Sequence, residues 1–270
     1  MVPTMDARFT PAHRGGSGEP LLLLHGFTDT WRTWELTLPA LETRHDVYAP
    51  TLPGHAGGPD LDGPPTTDTV LDQLERMLDD LGWETAHIAG NSLGGYLTLR
   101  LAARGRARSA VALAPAGGWA ADDETSSREV LTNFLTMQPL LQQAAPHADA
   151  LAATPEGRRQ ATALFCEHSE HLPAELVAHV IRGAAACPAT VPLVEHALVE
   201  GFGLDAAAIT CPVRIVWGTS DQVLRWPGAA VRYREDWLPH ADWVVLDGVG
   251  HCPQLDVPTE AAQLILGITA

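Results

Sequence analysis

Ala86-His87-Ile88-Ala89-Gly90-Asn91-Ser92-Leu93-Gly94-Gly95-Tyr96 decides how the rest of the chain is read. Ala86–Ala89 is a short apolar run of strand length, and a helix-like run starts at once after Ser92. The pattern G-x-S-x-G therefore falls on a strand-to-helix turn, which holds its serine in a strained conformation with the hydroxyl exposed at the sheet edge. Side chains at Gly90 and Gly94 are expected to collide with the neighbouring strand and helix. The helix N-terminus behind Ser92 favours negative charge developing there. A serine between glycines is by itself more often a plain turn; its place after a strand makes Ser92 a candidate nucleophile.

Working outward, strand-like runs recur at Leu21–Leu24, Val47–Pro50, Ala110–Leu113, Val213–Trp217 and Trp243–Leu246. Helix-like stretches separate them, among them Thr69–Leu81 with Val70, Leu71, Leu74, Met77, Leu78 and Leu81 at helical spacing. Alternating strands and helices imply an α/β fold with a mostly parallel sheet, and near-continuous apolar strands imply burial on both faces. The rhythm breaks between Pro115 and Leu204, about ninety residues without a convincing strand and too many for an ordinary loop. A helical insertion over 115–205 into a core of 1–114 and 206–270 is expected. Its leucines Leu131, Leu135, Leu140, Leu141 and Leu164 are expected to pack the insertion onto the core rather than touch a ligand.

Three further segments follow strand ends. His25-Gly26-Phe27 comes directly after Leu21–Leu24; an oxyanion needs two backbone N–H donors, and Phe27 N–H with Leu93 N–H is the pair expected. His25 itself is expected to bond the backbone of its own loop. Gly250-His251 follows the last strand through a glycine-containing turn, which suits an imidazole held over the sheet edge as general base. Asp221, just past Val213–Trp217, is placed to fix the tautomer of that imidazole, although an aspartate there can also simply cap the next turn. Asp122, Asp123, Asp247 and Asp256 are the rival carboxylates. His168 and His171 share a helical spacing, but no third ligand supports a metal site, and none is expected.

Composition removes several alternatives. The sequence has no lysine, which excludes Schiff-base chemistry, a P-loop lysine and a Ser–Lys dyad. The net charge of −16, from 17 basic and 33 acidic residues, repels nucleic-acid phosphates and anionic membranes, so neither is an expected partner. Arg100, Arg104, Arg106 and Arg108 are read as complementing the dipole at a helix C-terminus. Cys166, Cys187, Cys211 and Cys252 form no C-x-x-C pair and are expected to be free thiols. No apolar run is long enough to span a membrane, and Met1 to Thr10 lacks the apolar core of a secretory signal, so a cytoplasmic address is expected.

With these elements in place the chain resembles the α/β-hydrolase superfamily, whose nucleophile–acid–base order is matched by Ser92, Asp221, His251. Asp46-Val47-Tyr48-Ala49-Pro50 with Leu52-Pro53-Gly54-His55 is similar to that family's strand and D-x-P-G-x-G turn, with Thr51 where the usual aspartate stands and Ala56 before Gly57. The segment before Pro20 is short and irregular for the family's opening hairpin, so one edge strand is expected to be missing. The resemblance implies hydrolysis without a cofactor. Haloalkane dehalogenases and most epoxide hydrolases carry an aspartate nucleophile, and Ser92 argues against both. A carboxylesterase or lactonase for a small to medium, largely apolar acyl substrate is the first expectation. A carbon–carbon hydrolase of ring-cleavage products is the second, for which Gly90-Asn91-Ser92 and Gly94-Gly95 speak and Cys252, in place of an aromatic residue, speaks against. A cofactor-free perhydrolase shares the same three residues, and a ligand receptor on the same fold is the reading from another class.

Overall fold

The computed structural model describes residues 9–269; residues 1–8 and 270, with most of the N-terminal stretch read above as lacking a signal, lie outside the described residues. The first strands are β1 (Ala12–Gly16), β2 (Glu19–Leu24) and β3 (His45–Pro50), with the short helix α1 (Leu38–Leu41) between β2 and β3. Helix α2 (Thr67–Asp80) leads to β4 (Ala86–Asn91), α3 (Leu93–Ala103) and β5 (Ala107–Leu113). Five helices follow: α4 (Glu124–Ala144), α5 (Ala148–Ala152), α6 (Pro155–Thr162), α7 (Ala174–Ala185) and α8 (Thr190–Glu200). Then β6 (Val213–Gly218), β7 (Asp242–Leu246), α9 (Pro253–Asp256) and α10 (Pro258–Thr269) complete the chain.

The seven strands form one sheet in the order β1-β3-β2-β4-β5-β6-β7, parallel except for β1. The four leucines of β2 show why its strand reads as continuously apolar. Leu21 and Leu23 point to the side covered by α1 and α10, where they join Leu41, Val111 and Ile265. Leu22 and Leu24 point to the other side and meet Leu71, Leu74, Leu97 and Leu101 of α2 and α3. A strand with helices on both faces has no polar side, so alternation disappears. Helix α2 starts two residues before the expected Thr69, because Thr66 caps it by accepting the Thr69 N–H at 3.0 Å.

Three expectations are corrected. An edge strand does precede Pro20: β1 runs antiparallel to β3, from Ala12 opposite Pro50 to Gly16 opposite Asp46. The arginines do more than face a dipole. Arg100 reaches Asp68 at 2.7 Å, Arg104 reaches Asp72 and Glu75 at 2.6 Å each, and Arg106 reaches Asp79 at 2.6 Å. These acids lie along one stripe of α2, so the arginines tie it to α3 and the turn after it, while Arg108 pairs with Glu19. The leucines of the insertion also divide: Leu131 is buried and faces the pocket described below, whereas Leu140 and Leu164 are each 53% exposed.

The region between β5 and β6 contains helices and no strand among the described residues. Leu176, Val177 and Ile181 of α7 pack with Ala148, Ala152 and Cys166 onto Cys252 and Leu255, just beyond His251. All four cysteines are free thiols. Among the described residues no single helix is long and apolar enough to cross a membrane.

Leu23 is fully buried in a central strand, so Leu23→Ala should lower unfolding free energy by about 2–5 kcal/mol. Val199 is 82% exposed, and Val199→Ala should stay within about 0.5 kcal/mol. Urea unfolding of both variants checks the contrast.

Candidate active site

Ser92 lies between β4 and α3 with φ +56° and ψ −116°, a backbone region that side-chain-bearing residues rarely adopt. A Cβ on Gly90 would meet the Gly94 carbonyl oxygen at 2.1 Å, and one on Gly94 would meet the Leu24 carbonyl oxygen at 2.2 Å. Backbone cannot yield to such contacts, so both positions need glycine. Ser92 N–H donates to the Leu113 carbonyl at 2.9 Å, which ties the turn to the end of β5.

Asp221 follows β6 and is buried. One carboxylate oxygen, Oδ1, accepts the N–H groups of Val223 and Leu224 at 2.8 and 2.7 Å; the other, Oδ2, meets His251 Nδ1 at 2.7 Å. His251, also buried, is held from behind, since Asn91 Nδ2 donates to its carbonyl at 2.9 Å. Neither Ser92 Oγ nor His251 Nε2 has a hydrogen-bond partner among the described residues. The structure thus joins Asp221 to His251 directly, and His251 to the serine turn through Asn91. Catalytic hydrogen bonds often tighten only with substrate bound.

Phe27, Ser92 and Leu93 line one pocket. The N–H groups of Phe27 and Leu93 donate to no described residue. His25 does bond backbone, as expected: its Nε2 accepts the Leu52 N–H at 2.8 Å while Nδ1 donates to the Gly26 carbonyl at 2.7 Å. The pocket is otherwise apolar apart from Thr67, with Val130, Leu131 and Phe134 of α4, Leu193 and Val194 of α8, and Trp119 among its walls. Its cavity volume is about 70 Å³.

Three of the four rival carboxylates serve elsewhere, and the fourth, Asp122, is exposed. Asp123 caps α4 by accepting the Ser126 N–H, which lowers its pKa. Asp247 accepts from Thr219. Asp256 accepts the N–H groups of Glu167, His168 and Gly250 at 3.1, 2.6 and 2.6 Å, so it anchors the turn that carries His251. Among the described residues no three His, Cys, Asp or Glu side chains gather as metal ligands, and His171 donates to the Leu255 carbonyl.

Sequence reasoning missed the polar net under the site. Asn91 Oδ1 accepts from Gln254 Nε2 at 3.1 Å and from the Cys252 thiol at 3.3 Å, and Gln254 also donates to Thr33 at 3.0 Å. Asn91 stood inside the quoted motif, but nothing local shows which loop its amide reaches. Burial drives Asp29, next to this net, up to about 6.

The α/β-hydrolase family model matches residues 21–264. The chain belongs to that family. An epoxide hydrolase of Mycobacterium tuberculosis, EphH, is 36% identical over 197 residues, which are 73% of this chain and 91% of that one. A 2-hydroxymuconate semialdehyde hydrolase of a Pseudomonas species is 35% identical over 115 residues, 40% of each chain. Among solved structures, an esterase of a Rhodococcus species superposes with a TM-score of 0.70 at 20% identity, over 96% of this chain and 94% of that one, a likeness of fold. The α/β hydrolase is therefore an enzyme, a hydrolase acting on a small molecule.

Burial also sets a pH dependence of stability. It lowers His25 well below the ordinary imidazole range and brings His55 to about 4; His179 also falls to about 4, by burial and the nearby Arg32 charge. These histidines bind fewer protons folded than unfolded, so they stabilise above about pH 6.5 and lose that contribution as pH falls toward 4. Asp29, raised to about 6, works in the opposite sense over part of that window, but as one group against three. The urea midpoint should therefore rise between about pH 4 and pH 6.5, and His55→Gln should flatten the slope.

Proposed function

We propose that this α/β hydrolase cleaves carboxylic esters or lactones with small, apolar acyl groups through an acyl-enzyme on Ser92. The observation that carries the reading is the 2.7 Å Asp221–His251 contact, tied through Asn91 to the strained turn of a serine whose hydroxyl has no partner among the described residues. In this scheme His251 Nε2 takes the Ser92 proton as Oγ attacks the acyl carbon. Asp221, held by two backbone N–H groups, keeps the proton on Nδ1 and stabilises the imidazolium. The N–H groups of Phe27 and Leu93 receive the oxyanion. His251 returns the proton to the leaving alcohol, and water, activated the same way, releases the acid. The helices of 115–205 act as a cap that supplies the far wall of the pocket.

Ser92 itself argues against epoxide opening despite the relative of that name. A carboxylate that attacks an epoxide forms an ester, which water can hydrolyse; a serine would form an ether, which it cannot. The pocket argues against an acidic ring-cleavage product. Four arginines lie in the helical insertion, yet none lines it: Arg159 pairs with Glu156, Arg182 with Asp149, Arg158 bonds the Ala152 carbonyl, and Arg128 is exposed. An unpaired carboxylate in such a lining costs several kcal/mol.

Ser92→Ala should cut ester turnover on the order of 10⁴-fold or more without altering the fold, and should abolish fluorophosphonate labelling. Labelling that survives in this variant would overturn the assignment. Asp221→Asn should fold normally and lose roughly 10²–10⁴ in kcat. A rate near wild type would remove Asp221 from the scheme.

A further inference from the structure

Four rings form a column from the inserted helices into the core. Phe134 of α4 stands edge-on to Phe27, with centroids 5.0 Å apart and planes at 78°. Phe27 meets His55 at 5.7 Å and 81°, and His55 meets His25 at 5.0 Å and 72°. Such edge-to-face spacing is the favoured packing of rings. The lower half is fixed. His25 is fully buried with both nitrogens bonded, and His55, also buried, donates from Nδ1 to the Pro53 carbonyl. The upper end is different, because Phe134 keeps part of its surface in solvent and is held by no polar group.

Phe134 and Phe27 both line the pocket that holds Ser92. The other aromatic walls are less free to move. Trp119 is buried against Phe202 at 5.8 Å, and Phe202 rests on Tyr96, whose hydroxyl donates to the Gly203 carbonyl at 2.7 Å. With the Phe134 ring in place the cavity is about 70 Å³, roughly half the ~150 Å³ of a cavity that accepts benzene. A long acyl chain therefore needs a wall to yield, and Phe134, partly exposed on an inserted helix and packed edge-on against Phe27, is the aromatic wall on that side; its ring braces the side chain of Phe27, the residue proposed above to supply one oxyanion N–H.

We infer that Phe134 sets the acyl-chain length this enzyme accepts, acting as a positioning residue for the Phe27 oxyanion donor. The inference rests on the ester reading above. A short acyl group leaves the column intact, whereas a long one displaces Phe134 and loosens Phe27. Discrimination by length then appears in kcat as well as in KM, because the lost interaction is one made in the transition state.

The test uses p-nitrophenyl acetate, butanoate and octanoate with the wild-type enzyme, Phe134→Ala and Phe134→Leu. The wild type should favour the short esters. Phe134→Ala should raise the octanoate-to-acetate ratio of kcat/KM by about tenfold or more, the scale of a pocket enlarged by a few methylenes. It should also lower kcat on acetate about tenfold with little change in KM, since short esters need the brace and not the space. Phe134→Leu, which keeps bulk without a ring, should fall between, and it decides the matter if the alanine variant does not fold. A ratio unchanged in a variant that still labels with fluorophosphonate overturns the length assignment. A changed ratio with undiminished kcat on acetate overturns the positioning role. No turnover of any of the three esters by the wild type overturns the ester reading, and this inference with it.

Discussion

Ser92 is a side-chain-bearing residue at φ +56° and ψ −116°, a conformation that costs about 1–3 kcal/mol, and the surrounding fold is arranged to hold it there. Its N–H is bound by the Leu113 carbonyl, and its own carbonyl accepts from Tyr96 and Ala116 at 3.0 and 3.1 Å. With only hydrogen at positions 90 and 94, α3 settles directly against the ends of β2 and β4. Leu97 and Leu101 then reach the Leu22–Leu24 face, so the contact that strains the serine also builds one half of the core. The same contact sets the loop after β5 against the turn. Relaxing the strain would require α3 to leave the sheet, at the cost of buried leucine packing.

The second constraint is electrostatic and depends on the first. Asp221 and His251 sit where water is scarce, and a buried ionisable pair is stable only when every oxygen and proton finds a partner. Both oxygens of Asp221 are occupied, and Asp256 and Asn91 hold the His251 turn from two sides. Asn91 uses its whole amide: it donates to the Leu113 and His251 carbonyls and accepts from Gln254 and Cys252. One buried side chain thereby links the ends of β4 and β5 to the histidine turn. Removing one member of such a net leaves others unpaired, so its parts act as a unit.

What could be read in the sequence follows from which physical signals are local. The six parallel strands carry largely apolar runs such as Leu21–Leu24 and Val213–Trp217, and the serine turn announces itself by its glycines. Strand β1 does not. Ala12-His13-Arg14-Gly15-Gly16 lies at the edge with one neighbour and no buried face, so it leaves no hydrophobic period to detect. The acidic stripe Asp68, Asp72, Glu75, Asp79 was visible at helical spacing, but its pairing with Arg100, Arg104 and Arg106 depends on α2 lying beside α3. The leucines of the insertion fail for a related reason. Leu131 and Leu140 lie on one helix, α4, and only its contacts with α7 and α8 decide that the first faces the pocket and the second the solvent. Phe134 carried no sequence signal at all, since its meaning lies in Phe27, more than a hundred residues earlier.

Charge and pocket act together on the ester reading. All 17 basic residues are arginines, and many are engaged on the surface with part of the acidic excess that leaves the chain at −16. None of the arginines among the described residues lines the pocket, whose polar groups there are confined to Ser92, Thr67 and backbone. A neutral ester meets no penalty from either feature. Hydrolysis turns it into a carboxylate, which the apolar lining cannot solvate and the acidic surface repels. On the proposed ester reading the ligand would change from one the site tolerates to one it disfavours, so the same apolar lining that suits a neutral substrate would also favour release of the acid product.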